Sequence, residues 1–211
     1  MNLLRHAIVL QTPTSKYSGY IFFDQWLGTI NAHLHKKNSN YGLSRGALIQ
    51  YSSHSSSVWH SAQAVEIIAI PQAWVVKNIW FLHHVLELID FFVPRSHNSP
   101  DIFELMGLLY QPLHEEVDVS FFQKLFLCKF FILIGLYPEP RCVDDREFLS
   151  LVACGTNLDG RQVSDEQKYV FLEKKMIQWL RECILLHPHA DRLKTMIMEP
   201  WCAYEKNNST F

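Results

Sequence analysis

The chain has 211 residues, 48% apolar and 19% charged, a composition that excludes a disordered or fibrous polymer. A formal net charge of −2 excludes a polyanion binder acting through its whole surface, so any nucleic-acid affinity must be local. Five cysteines, an odd number at wide spacing, argue against a disulfide framework.

The charge is unevenly placed. Residues 1–72 carry Arg5, Lys16, Lys36, Lys37 and Arg45 against Asp24 and Glu66, a net +3. Of the chain's 19 basic and 21 acidic residues, 14 and 19 remain beyond that point, a net −5. The N-terminal stretch from Met1 to Leu10 is too short and too interrupted for a secretory signal. The longest apolar run, Phe121 to Leu136, is broken by Gln123, Lys124 and Lys129, and is shorter than the roughly 20 residues of a bilayer span. A soluble, cytoplasmic protein with no membrane partner is expected.

In chain order, Leu4 to Thr12 is the first strand candidate, bounded by Thr-Pro-Thr-Ser. Tyr20 to Phe23 is the second and Gly28 to Leu34 the third. His35 to Tyr41 is polar and reads as a loop. Ala47 to Ser52 and Val58 to Ile70 supply two more strands, with a turn at His54-Ser-Ser-Ser. Five short strands with polar connections suit a small closed barrel of the oligonucleotide-binding (OB) type better than a sandwich.

The pattern changes near Pro71. Ala73 to Val93 reads as one helix, with Val76, Ile79, Trp80, His83, Leu86 and Asp90 near one stripe. Ser99-Pro-Asp-Ile is a helix start, with Ser99 as cap, Pro100 in the first turn and Asp101 complementing the dipole. Asp118 caps a very apolar helix that ends around Gly135. Ser164-Asp-Glu-Gln matches a capping box for a helix to about Leu186, and a short last helix covers Ala190 to Met198. The expected fold is α+β: an OB-type β-barrel over residues 1–72, then an all-helical domain over 73–211.

Lys36 and Lys37, with His33, His35, Arg45, Tyr41 and Trp26 nearby in sequence, form the best candidate site. Single-strand binders combine cations for phosphates with aromatic faces for bases. A solvated loop would have the same composition. His83 and His84 diverge on a helix and cannot readily share a metal, so a structural role is favoured. Cys142 and Cys154 are twelve positions apart, without a CxxC pair. Glu115-Glu116 after Pro112 is more simply a solvated loop than a catalytic carboxylate pair. No GxSxG elbow, phosphate loop or dinucleotide fingerprint is present. No enzymatic activity, cofactor or metal is expected.

Several segments line up with one family. They are Ala7-Ile-Val-Leu-Gln-Thr, Leu27-Gly-Thr-Ile-Asn-Ala-His-Leu-His-Lys-Lys, Gly46-Ala-Leu-Ile-Gln-Tyr, Ala64-Val-Glu-Ile-Ile, Phe81-Leu-His-His-Val-Leu-Glu-Leu with Phe91-Phe-Val-Pro, and Phe126 to Gly135 with Leu136-Tyr-Pro-Glu. This order, spread over residues 4–155, resembles the bacterial recombination-mediator family RecO. The resemblance implies an OB fold followed by a helical domain, binding of single- and double-stranded DNA, and annealing of complementary strands. It also implies work with a RecR-like protein and with the C-terminal tail of the single-strand-binding protein. A groove for that tail would need a cation at its rim, and Lys124, Lys129 and Arg141 are the nearest in sequence to the phenylalanine-rich helix.

The chain departs from the family in its plain first hairpin, Pro13 to Gly19, and in a basic run reduced to Lys36-Lys37. Where many relatives carry a four-cysteine zinc knuckle, only Cys142 and Cys154 remain, so zinc should be absent. The first rival reading is a protein-interaction adaptor whose barrel binds no nucleic acid. The second is a metal or thiol hydrolase using these cysteines or the histidines.

Overall fold

The computed structural model describes residues 4–15, 18–35, 42–56, 59–113, 118–154, 166–185 and 187. Five strands come first: β1 (Leu4–Gln11), β2 (Tyr20–Asp24), β3 (Gly28–Leu34), β4 (Leu48–Ser56) and β5 (Trp59–Ala69). They close into a barrel in the order β1-β2-β3-β5-β4, with β1 paired to both β2 and β4. All pairs are antiparallel except β3 with β5. This is an OB-like barrel, as five short strands with polar turns predict.

The period of two explains its interior. Ala7 and Val9 of β1, Phe22 of β2, Ile30 and Ala32 of β3, Ile49 and Tyr51 of β4 and Ala62 of β5 form one buried cluster. Ile8 and Leu10, on the other face of β1, are buried too. The central run of β1 is therefore apolar throughout instead of alternating. β4 is longer than its sequence predicts. The polar stretch expected to turn at His54 continues the ladder through His54–Ser61 and Ser56–Trp59 pairs. Backbone hydrogen bonding across the hairpin satisfies these groups whatever their side chains. A register shift between Gln50 and Ser52, with Ala64 at φ 47, marks a bulge in this pair.

Helices α1 (Gln72–Lys77), α2 (Ile79–Phe92) and α3 (Pro100–Gly107) follow, then a single 3₁₀ turn at Leu108–Tyr110. The helix expected over residues 73–93 is thus broken. Asn78 leaves the helical region at φ −159, and its side-chain oxygen accepts from the Phe81 N–H at 3.0 Å, which starts α2 afresh. An asparagine favours a cap over a helix interior for this reason. Of the predicted stripe, Leu86 alone is buried. Val76 and Trp80 are 79% and 70% exposed, and the core face is built instead by Phe81, Leu82, Val85, Leu88 and Ile89 beside Leu86. Ser99 occupies the cap position of α3 as expected, but makes no capping hydrogen bond; its Oγ lies 3.4 Å from the His97 carbonyl.

Residues 1–112 form one compact unit and residues 113–211 a second. In the first, Gln11 donates to Asp90 at 2.5 Å, and Tyr110 donates to the Gly46 carbonyl at 2.9 Å, tying the helices to the barrel.

The second unit holds α4 (Val119–Leu133), α5 (Val143–Cys154) and α6 (Glu166–Leu185). Asp118 caps α4 by accepting from the Ser120 and Phe121 N–H groups, worth about 1 kcal/mol. At the other end Gly135 sits at φ 71, Leu136 N–H reaches the Phe131 carbonyl, and Gly135 N–H reaches that of Ile132. This is the Schellman pattern, and it ends the helix where glycine can turn left-handed. Phe121, Phe122, Phe126, Phe130 and Phe131 are all buried, as befits a helix apolar on every side.

Helix α5 falls where the sequence suggests a depleted zinc knuckle, over residues 142–154. Its signals are Asp144 and Asp145 in the first turn and buried Phe148 and Val152 four apart. Ser164 and Asp165 of the expected capping box lie outside the described residues, as do the helix expected at Ala190 to Met198 and Glu115 and Glu116. Among the described residues, no helix is long and apolar enough to cross a membrane.

Candidate nucleic-acid interface

The structure separates the residues that the sequence groups together. Trp26 sits in the tight turn between β2 and β3 and is 57% exposed. His33 lies near the far end of β3, about 17 Å along the strand from Gly28 at ~3.3 Å per residue, and His35 follows just past its last residue, Leu34. Arg45 is engaged elsewhere: its Nε donates to the Leu10 carbonyl at 2.8 Å and its Nη1 lies 3.7 Å from Glu87. It clamps the approach to β4 onto β1 and α2. Lys36, Lys37 and Tyr41 fall outside the described residues, two of them just after His35 in sequence.

In an OB barrel the outer face of strands 2 and 3, with the loops before strands 2 and 5, takes the oligonucleotide. Here part of that face is covered. Phe23 packs on Phe103, ring centroids 5.6 Å apart. Arg95 donates to the Asn31 side chain at 2.7 Å, and Ser96 N–H donates to the Thr29 carbonyl at 3.0 Å. Gly28, at φ 67, lies so close to the His97 carbonyl that a Cβ would sit 1.9 Å from that oxygen. Only glycine fits there.

The far end of β3 carries a second aromatic contact. The rings of His33 and Trp59 stack with centroids 4.1 Å apart at 24°. Trp59 also lies over Gly19, where a Cβ would meet the ring at 2.5 Å. Held between the His33 ring and a side-chain-free backbone, Trp59 remains 38% exposed. It lies just after the β4–β5 turn, while Gly19 ends the β1–β2 loop, so both loops converge on this platform. Local sequence reasoning passed over Trp59 because it lies more than twenty residues from Lys36. The parallel pairing of β3 with β5, Ala32 opposite His60, brings it to His33.

Inside the barrel lies a polar cluster. Asp24 is fully buried and accepts from the Trp26 and Leu27 N–H groups at 2.8 Å each, and from the Tyr51 hydroxyl at 2.6 Å. Arg5 Nη1 stands 3.5 Å from the same carboxylate as an ion pair without hydrogen-bond geometry. Burial, reinforced by the Asp24 charge, pushes the Tyr51 hydroxyl far above its ordinary range. Ser53 Oγ lies 3.3 Å from His60 Nδ1. Burial, then the Arg5 charge, lowers the His60 pKa; burial also lowers that of His84.

A lowered histidine pKa means that the unfolded chain takes up protons first as pH falls. Stability contributed by the neutral rings is complete above about pH 6.5 and is lost as pH falls through the lowered folded values. Urea midpoints should therefore drop between neutral pH and mildly acid pH. In the His60→Gln/His84→Gln variant that drop should shrink; an equal drop would remove these residues as its source.

In the second unit, Lys124 is 7% exposed, and its ammonium pairs with Glu173 and with Ser120 Oγ. Its charge is neutralised inside the unit. Lys129 is half-buried on α4, and Arg141 is exposed with Nη2 3.5 Å from Glu182. Cys142 lies just before α5 and Cys154 is its last residue, so the length of the helix, about 17 Å at ~1.5 Å rise per residue, separates their backbones. Among the described residues no group of three or more His, Cys, Asp or Glu is placed to hold a metal. Cys128 and Cys183 are buried, and burial pushes both thiols well up, which suits core residues and not nucleophiles.

Neither the models of known protein families nor the curated proteins include a match to this chain.

Proposed function

We propose that this chain is a non-enzymatic protein that grips single-stranded DNA at the His33–Trp59 platform. The recombination-mediator role implied by its resemblance to the RecO family, with strand annealing and recombinase loading, is the setting we propose for it. The observation that carries the reading is the exposed, pre-stacked Trp59 ring at the meeting point of the two loops that serve ligands in OB barrels. Stacking is sequence-tolerant because every base has a π-face, and it leaves base edges available for a complementary strand. Lys36 and Lys37 follow His33 by three and four residues and are the nearest cations in sequence for phosphates.

Fluorescence titration of a labelled oligonucleotide at several salt concentrations tests this. Trp59→Ala should weaken single-strand binding by about 1–3 kcal/mol, or roughly 5- to 150-fold. Lys36→Ala/Lys37→Ala should instead flatten the salt slope by about 0.7 per lost phosphate contact. The covered outer face of β2 and β3 favours a second reading, an adaptor that binds no nucleic acid. Wild-type protein showing no salt-sensitive binding would establish that alternative over the first.

A further inference from the structure

The barrel interior changes from apolar to polar along four of its strands. A residue two positions from a core residue faces the same side of its strand. Ala7, Phe22, Tyr51 and Ala62 belong to the barrel core. Arg5, Asp24, Ser53 and His60 stand two positions from them, so all four face inward as well. Register joins them, with Arg5 opposite Tyr51 and Ser53 opposite Ala62. Ser53 Oγ lies 3.3 Å from His60 Nδ1, and Arg5 Nη1 lies 3.5 Å from the Asp24 carboxylate. Asp24 is fully buried, but Arg5, Ser53 and His60 each keep part of their surface in solvent. The set is also unfinished. Arg5 Nη1 is buried and donates to no described group, because the oxygens of Asp24 already accept from the Trp26 and Leu27 N–H groups and the Tyr51 hydroxyl. A buried donor without a partner calls for a water or an ion beside it.

We propose that this polar end of the barrel binds a phosphate group through Arg5, Ser53 and His60. The donor set fits that chemistry. A guanidinium fork, a hydroxyl and an imidazole reach an oxyanion from different directions, which suits tetrahedral oxygens better than a flat carboxylate. The site works with a proton. Burial and then the Arg5 charge hold the His60 pKa below its usual value, so the ring is neutral without a ligand. An anion beside Arg5 offsets that charge, and its binding draws a proton from solvent onto the ring. Protonated His60 donates from Nδ1 to Ser53 Oγ, which turns the Ser53 hydroxyl proton toward the anion. Asp24 opposes the anion, and the charge gained by His60 compensates. Tyr51, and Tyr20 across Ala32 from His60 in register, stay neutral because burial raises both hydroxyls. Binding therefore tightens as pH falls. Trp59 precedes His60 and faces the other side of β5, so the phosphate site does not depend on base stacking.

Nuclear magnetic resonance of the His60 ring in the full chain is the test, the signal being assigned by its loss in His60→Gln. The ring is titrated with pH in inorganic phosphate and in sodium chloride of matched ionic strength. Phosphate should raise the His60 midpoint by at least about half a pH unit, equivalent to about threefold tighter phosphate binding by the protonated ring. Arg5→Gln should raise the midpoint in chloride, since a neighbouring cation is gone, and abolish the further rise with phosphate. Should circular dichroism show that variant misfolded, Ser53→Ala keeps the test decisive and should at least halve the rise. Equal wild-type midpoints in the two salts would overturn the proposal. So would a rise that the folded variants keep at full size. Repeating the titration with a single-stranded oligonucleotide identifies the source. A rise at micromolar strand assigns the site to a phosphodiester, and a rise with inorganic phosphate alone assigns it to a free or terminal phosphate.

Discussion

Asp24→Ala should cost about 3–5 kcal/mol of stability, the range for leaving a buried charge and its donors without their partner. Three donors meet this carboxylate, the Trp26 and Leu27 N–H groups and the Tyr51 hydroxyl, with Arg5 alongside. Without it the turn into β3 loses its two side-chain bonds, and the Arg5 charge sits in the barrel uncompensated. The lower end of the range applies, because the Arg5 side chain is 22% exposed and water can reach part of it. Tyr51→Phe removes one donor and should cost about 1–2 kcal/mol. The double variant should lose less than the sum, since both changes break the same bond. Chemical unfolding followed by circular dichroism measures all three. A loss below about 1 kcal/mol for Asp24→Ala would mean that the cluster does not hold the barrel.

Glu173→Leu should destabilise the second unit by about 2–3 kcal/mol, less than a fully buried pair because Glu173 is 30% exposed. The Lys124 side chain is only 9% exposed and would keep, among the described residues, the Ser120 hydroxyl as its partner. The reverse change, Lys124→Met, should cost under about 1 kcal/mol, since the carboxylate can turn to water while methionine fills the space of the lysine stem. Combining the two should recover most of the Glu173→Leu loss. Unfolding midpoints decide it: equal costs for the two single changes would show that the burial asymmetry does not govern the pair.

The strands were legible because their chemistry is local. β3 spans Gly28–Leu34 as its alternation predicts, and β1, β2 and β5 differ from expectation only at their ends. The cap at Asp118 and the stop at Gly135 were equally readable, since each depends on one residue type meeting one backbone need. Asn78 was the overlooked local signal: a polar cap residue inside an apolar run divided one expected helix into two.

The candidate site was legible only in part. Sequence proximity grouped Trp26 with His33, yet the length of β3 holds them apart. It left out Trp59, which a parallel strand pair delivers to His33. Arg45 and Lys124 read as available cations, but burial and the carboxylates opposite them, Glu87 and Glu173, are contributed by helices distant in sequence. Periodicity and capping act over one turn or one strand, so the order and type of the elements follow from the chain itself. Which ring stacks on which and which charge is neutralised depend on contacts between segments far apart. Only the closed barrel and the packed helices decide those.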